Sequence, residues 1–495
     1  MLNYIEQISN HKNKTAIIHH QQSYTFEDLL NESTSIAAHL LNQNYDLKEQ
    51  RVAFMVNPGF DYVATQWAIW RAGGVVVPLC ISHPLSSLKY VIEDTDSSII
   101  IVSDDYIDVL KPLAQEKGIT FYAISDLKKE KQSCLLPKID IARKAMILYT
   151  SGTTNLPKGV VSTFINIEAQ VSTLIKAWEW TDKDRTLCLL PLHHVHGIIN
   201  IVCCAMAVGA CCEFLDKFSS ETVFEIFNRK EMNVFMAVPT IYYKLISYWD
   251  SLPITKQNEI TQNLSSSFRL MISGSAALPV SVMERWKEIS GHTLLERYGM
   301  TEIGMAISNP YRGERLAGYV GKALPGVEVR LASEKDEVIE NEAGEIQIKG
   351  LNVFSNYWQR IEETKKSFTQ DGWFKTGDIA ILEHGYYKIL GRNSTDIIKS
   401  GGYKISALEI EEVLRIHPDI DDCAVIGVED EEWGELVVAA LVTKNDLDIS
   451  HLNNWIKDKI ASYKTPRKYI ILPELPRNAM GKVTKNEIKK LFNQN

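Results

Sequence analysis

The run YTSGTTNLPKG (149–159) gathers Thr150, Ser151, Thr153 and Thr154 with Gly152 and Gly159 around Lys158. Hydroxyls, backbone N–H groups and a single ammonium are the donors that wrap a polyphosphate. The run is not a Walker A loop: Lys158 precedes Gly159 and Val160 follows, where that loop requires Gly-Lys-Ser/Thr. Four other segments hold groups suited to the same chemistry. In ERYGMTE (296–302), Thr301 and Glu302 offer a hydroxyl and a carboxylate, the oxygen ligands a hard Mg²⁺ takes. Asp378 follows Gly377 and can accept from two ribose hydroxyls. PRNAMGKVTK (476–485) is a Pro/Asn/Gly turn that presents Lys482, a mobile charge able to stabilise a pentavalent phosphorus under attack. In GRNSTDIIKSGGYKIS (391–406), Gly401 and Gly402 permit close approach of a narrow chain, and Lys404 can meet a phosphate.

Elements of regular structure must hold these loops. FEDLLNESTSIAAHLL (26–41) has helical periodicity, and RVAFMV (51–56), GGVVVPL (73–79) and SSIIIVS (97–103) are short β-rich runs between helical stretches. The rhythm resumes at 233–238 and 270–272, as expected of parallel strands delivering loops to one sheet edge. At 391–394 the chain turns polar and Gly-rich. The expected architecture is α/β: a large N-terminal domain of layered α/β subdomains (1–391) and a small, mobile α+β C-terminal domain (392–495) carrying Lys482.

Composition narrows the function. Lys and Arg total 53 against 62 Asp and Glu, a net charge of −9, which disfavours nucleic-acid binding. The polar opening MLNYIEQISNHKNK has no apolar signal-peptide segment, so the cytosol is the expected compartment. Cys203, Cys204, Cys211 and Cys212 lie among small apolar residues and read as core rather than as metal ligands. The apolar stretch 201–212 is too short to span a membrane, which needs about 20 residues.

Taken in order, YTSGTTNLPKG, ERYGMTE, GWFKTGD (372–378), GRNSTDIIKSGGYKISALEIE (391–411) and PRNAMGKVTK resemble the signatures of the adenylate-forming superfamily, which includes the acyl-CoA synthetases. The resemblance implies ATP, Mg²⁺ and CoA as cofactor and co-substrates. It further implies Glu302 as the magnesium ligand, Tyr298 stacked on adenine, and Asp378 reading the ribose with Arg392 nearby. Ser275, Ala276 and Ala277 would border the adenine. Lys482 would be the adenylation lysine, brought in by domain closure about a hinge at Ser394, a position where many relatives carry Asp or Lys. Gly401, Gly402 and Lys404 would line the CoA path.

The residue before the motif tyrosine, commonly small in relatives that activate aromatic and fatty acids, is Arg297. A guanidinium facing an apolar tail would be left unpaired. Turned inward it would grip the distal carboxylate of a short dicarboxylic acid; turned outward it would pair with Glu296. LHHVHG (192–197), RLMISGSAALP (269–279) and RLAGYVGKALPGVEVR (315–330) further resemble malonyl-CoA synthetases. That likeness puts His196 at the acyl pocket and makes Arg315 a second candidate for carboxylate steering; His193 and His194 stay unassigned. The expected reaction is ATP-dependent conversion of malonate, with methylmalonate a second candidate, to an acyl adenylate and then to the CoA thioester. The alternatives are a fatty- or aryl-acid CoA ligase and an enzyme loading a carrier protein.

Overall fold

The structure is a computed structural model that describes Ile5 and residues 8–150, 157–478 and 481–493. The helix Phe26–Leu41 has the ends its sequence expects. The Thr25 hydroxyl accepts from the Asp28 N–H, the Asp28 carboxylate accepts from the Thr25 N–H, and Asn42 closes the helix in the left-handed region.

Among the described residues the strands form four sheets. Arg51–Met55, Val75–Pro78 and Ile99–Val102 are parallel neighbours in a seven-stranded sheet, completed on one side by the antiparallel hairpin Lys144–Thr150 and Lys158–Thr163. Val234–Ala237 and Leu270–Ser273 belong instead to a nine-stranded sheet, so what reads as one rhythm is divided between two layers. These strands are buried almost throughout, as parallel strands covered on both faces must be. In the nine-stranded sheet Arg185–Cys188, Val234–Ala237, Leu270–Ser273 and Leu295–Met300 run parallel, so the loops after them leave by one edge. Val327–Ala332, Gly344–Gly350, Phe374–Glu383 and Tyr386–Arg392 make a four-stranded antiparallel sheet. A smaller domain follows, whose five-stranded sheet draws every strand from Ile397 onward. Cys203, Cys204 and Cys212 are buried and Cys211 half-buried, and none of the four is in a disulfide.

The two parts meet at a turn held by buried charge. Asp396 accepts from the Arg392 N–H at 3.0 Å and its own N–H returns to the Arg392 carbonyl at 2.8 Å. The Lys485 ammonium, three residues beyond Lys482, lies 2.6 Å from Asp396 and 2.7 Å from Glu411. These two carboxylates outweigh the effect of burial and raise the Lys485 pKa. The hinge turn and the loop bearing Lys482 are therefore clasped to each other. Lys485→Ala would leave two carboxylates poorly solvated, a loss of about 3–5 kcal/mol. We expect a lower unfolding midpoint and faster hydrogen exchange at the Arg392 and Asp396 amides; unchanged exchange would show that the clasp does not hold the turn.

Candidate active site

Strand Leu295–Met300 carries the acid-facing end of the site. Arg297 is 4% exposed, and its Nε and Nη2 have no hydrogen-bond partner among the described residues. Its guanidinium lies against the backbone at Gly274, where a Cβ would stand 2.4 Å from Cζ. Burial pulls its pKa down to about 9. The charge of the neighbouring Glu296 opposes that fall, while burial pushes the Glu296 carboxyl itself up to about 8 and its Oε1 accepts from the Leu278 N–H at 3.0 Å. Arg297 is thus buried and not turned out to solvent.

His196 begins a π-helix, His196–Cys203, a winding that is rare and concentrated at functional sites. Its Nδ1 is 3.1 Å from the Ser275 hydroxyl, and Ser275 adopts a left-handed backbone (φ 71°) immediately after Gly274. His196 Nε2 and the Ser273 hydroxyl are buried without a partner. Burial, and after it the charge of Arg297, hold the imidazole neutral. Ala276 and Ala277 are exposed beside Ser275. The Arg315 guanidinium donates to the carbonyls of Pro310, Thr293 and Tyr311. Three of its five N–H donors thus tie down a loop, and any contact with a carboxylate falls to the two that remain.

At the nucleotide end, Thr150 and Lys158 face each other across the hairpin; Ser151, Gly152, Thr153 and Thr154 lie outside the described residues. Lys158 pairs with Glu363 and sits 5.3 Å from the Tyr357 ring centroid. The Tyr357 hydroxyl donates to Glu302 at 2.9 Å, so this ring joins the two charged residues. Glu302 is buried, its pKa is raised by that burial, and it makes no ion pair among the described residues. A desolvated carboxylate without a basic partner, next to the half-buried Thr301, fits a hard divalent cation. Asp378 receives the Tyr298 hydroxyl at 2.6 Å and faces Arg392 at 3.8 Å, while Arg392 also donates to the Thr376 carbonyl at 3.1 Å.

Lys482 is set by a tight turn in which Gly481 has φ 76° and the Lys482 N–H donates to the Asn478 side chain at 3.0 Å. The turn abuts the other part of the chain, since a Cβ on Gly481 would stand 3.3 Å from the Thr240 hydroxyl. Lys482 keeps solvent-accessible surface, yet the surrounding protein desolvates it enough to lower its pKa. Arg297 and Arg392 act in the same direction and Asp378 opposes them, which brings these three residues and this lysine into one electrostatic cluster. His194 belongs to that cluster as well: burial, then His193 and Lys482, bring its pKa to about 3. Gly401 (φ 55°) and Gly402 (φ 81°) turn a hairpin elsewhere: Gly401 packs on Trp433 and Lys404 pairs with Glu334 at 2.8 Å. Ser394 is exposed in the hinge turn.

Sequence reading missed Gly274, Tyr357 and the place of His194. Gly274 and His194 stand inside strings already singled out; Tyr357 is 55 residues from Glu302 and carries no local signal.

Glu296 supplies a pH test. Its pKa rises from 4.5 to about 8, so between those values the folded chain keeps a proton that the unfolded chain releases. Stability must therefore fall as pH rises through that window, by on the order of 1 kcal/mol per unit. Glu296→Gln copies the protonated form. Urea unfolding from pH 5 to 8.5 should show a decline in the native chain that is flattened in the variant; parallel curves would mean that Glu296 is ionised at neutral pH.

Comparison with known proteins agrees with this geometry. The AMP-binding enzyme family matches residues 5–358, and the AMP-binding enzyme C-terminal domain matches 409–482. A Xenopus laevis protein named mitochondrial malonate–CoA ligase is 43% identical over 96% of this chain and 89% of its own length. ATP-bound MatB from Rhodopseudomonas palustris superposes with a TM-score of 0.92 at 31% identity, covering 99% of both chains. The apo form of the same MatB gives 0.82 at the same identity and coverage. No helix among the described residues is long and apolar enough to cross a membrane. The chain is a member of the AMP-binding enzyme family and an AMP-forming, ATP-dependent acyl-CoA ligase, with ATP, Mg²⁺ and CoA as its cofactor and co-substrates.

Proposed function

We propose that the acid activated is malonate, with methylmalonate as a second substrate, and that the product is the corresponding CoA thioester. One observation carries this reading: the buried Arg297 guanidinium, whose Nε and Nη2 have no partner among the described residues, and beside it a His196 Nε2 that has none there either. Removing a cation from water without a counter-charge is costly, so the native partner is an anion that arrives with the substrate. A distal carboxylate meets Arg297 in a charge-assisted pair and takes a further hydrogen bond from His196. A fatty or aryl tail would leave that cost unrelieved.

The reacting carboxylate attacks the α-phosphorus of ATP and pyrophosphate leaves. Lys482 offsets charge on the attacking oxygen and the phosphorus. Glu302 and Thr301 would hold Mg²⁺, which neutralises phosphate charge. Lys158 exchanges Glu363 for a phosphate, and Asp378 and Arg392 bind the ribose with Tyr298 against the base. In the second step the CoA thiolate attacks the acyl carbonyl and AMP leaves. For this step the unit 392–495 pivots about Ser394, withdrawing Lys482 and presenting Gly401, Gly402 and Lys404. A reducing compartment, which we propose is the cytosol, suits eight cysteines with no disulfide among them; the Xenopus relative carries "mitochondrial" in its name.

Arg297→Ala should lower kcat/KM for malonate by at least about a hundredfold. Activity on a short monocarboxylate such as butyrate should persist or rise. Gly274→Ala, which sets a methyl 2.4 Å from the Arg297 Cζ, should shift the same ratio in the same direction and less far. Pyrophosphate release measured across malonate, methylmalonate, succinate, acetate and octanoate checks both, and full malonate turnover in Arg297→Ala would refute the assignment. Lys482→Ala should abolish malonate-dependent ATP–pyrophosphate exchange yet still convert supplied malonyl adenylate to thioester; equal loss of both half-reactions would count against its role.

A further inference from the structure

A second group of metal-binding side chains stands apart from the active site. His19 ends strand Thr15–His19, His20 begins the turn that follows, and Asp216 lies just beyond strand Cys211–Phe214, a parallel neighbour of Thr15–His19. His19 Nε2 is 2.7 Å from Asp216 Oδ1 and His20 Nε2 is 2.6 Å from Oδ2. One donor atom from each residue fits within 4.8 Å of the others, and among the described residues no other His, Cys, Asp or Glu group of three does so.

The backbone is bent to achieve this. Consecutive residues on a strand point to opposite faces, yet the two rings stack with centroids 3.9 Å apart. They can do so because His20 (φ 50°) and Gln21 (φ 64°) both occupy the left-handed region in a two-residue hairpin turn. Asn-Gly is the usual pair for such a turn, so the sequence departs from local preference to bring the second imidazole round. A Cβ on residue 59 would stand 2.5 Å from His19 Nδ1, so Gly59 (φ 137°) leaves room for the ring.

We propose that His19, His20 and Asp216 form a site for a divalent transition-metal ion of the Zn²⁺ class, which pins the hairpin Thr15–Thr25 to the end of strand Cys211–Phe214. Two imidazole nitrogens and one carboxylate oxygen are a common donor set for Zn²⁺ and Ni²⁺ and a poor one for Mg²⁺ or Ca²⁺. Bonds of about 2.1 Å to a tetrahedral ion would separate the donors by roughly 3.3 Å. The observed spacing needs only a small outward movement of partly exposed side chains. The strands Leu295–Met300 and Thr15–His19 are five positions apart in the nine-stranded sheet, roughly 24 Å at ~4.8 Å per strand. The ion is therefore a structural staple at the sheet's outer edge and takes no part in acyl transfer.

Isothermal titration of the full chain with Zn²⁺ or Ni²⁺ at pH 7.5 tests this, with Mg²⁺ as the contrasting ion. We expect one Zn²⁺ per chain at micromolar affinity or tighter, a rise of about 2–4 °C in the unfolding midpoint, and no saturable heat from Mg²⁺. Co²⁺ should give the visible absorption of a tetrahedral ion. His20→Asn, whose asparagine suits the left-handed turn, and Asp216→Asn should each weaken Zn²⁺ binding at least about tenfold and remove the thermal shift. Both should leave pyrophosphate release unchanged. Absence of saturable Zn²⁺ binding overturns the proposal, as does binding of equal strength in both variants, which would assign the ion to other cysteines and histidines.

Discussion

The proposed acid pocket depends on a cation kept out of water, two of whose nitrogens have no partner among the described residues. Glu296, the residue before it, favours the charge on Arg297 but is buried so thoroughly that its own carboxyl retains a proton to about pH 8. The seat of the guanidinium is a glycine, the ring nearest in charge is a histidine held neutral, and that histidine is fixed by a serine whose backbone is left-handed. Each of these choices is locally unfavourable: an unpaired buried donor, a protonated carboxyl, a positive φ on a side chain other than glycine. Together they suit the proposed pocket, in which the anion of the substrate would offset these costs.

The same logic extends to the approach of the smaller domain. Arg297 and Arg392 both act against the charge on Lys482, and Asp378 opposes them. Three cations converging on one acid resist close assembly in the absence of further negative charge. A polyphosphate and a dicarboxylate bring that charge, which makes the approach of Lys482 and the binding of substrates mutually reinforcing. Several bonds seen here are ones that ligands can replace. Lys158 rests on Glu363 at the mouth of the phosphate hairpin, and the Tyr298 hydroxyl occupies one oxygen of Asp378. In contrast, Lys485 with Asp396 and Glu411 is internal to the small domain and its hinge turn, and so can survive a rotation intact.

Much of this was legible in the sequence where the signal is local. The helix Phe26–Leu41 announces its cap, and the strand runs announce themselves by unbroken β-branched residues. The inward turn of Arg297 was one of two readings, because a residue type states what a side chain needs and not which way it faces. What could not be read was long-range. Tyr357 reaches Glu302 through a two-residue strand paired with Lys158–Thr163, a pairing that leaves no periodic trace. Arg315 looks the same in sequence whether or not three carbonyls meet it, and only the path of the loop around Pro310 decides it. The division of similar strands between two sheets is likewise set by the order of pairing and not by composition.

Similarity to MatB separates two kinds of information. The bound and apo forms of that protein share one sequence, so their equal identity to this chain says nothing about arrangement. The TM-scores of 0.92 and 0.82 differ for a geometric reason alone, and the higher belongs to the ATP-bound form. The contact of the Gly481 turn with Thr240 and the charge coupling of Lys482 to Arg297 are the local expression of that arrangement in this chain. A hairpin, a strand end, a buried carboxylate and a mobile lysine can serve any acyl adenylation. Selection among acids falls to the far end of the pocket, where a hydrophobic wall distinguishes one methylene by only about 1–3 kcal/mol. A site built around an unpaired charge discriminates far more steeply, because the wrong guest leaves that charge unmet. Under the function proposed above, residue 297, with Gly274 and Glu296 shaping its surroundings, is where a general activating fold becomes selective.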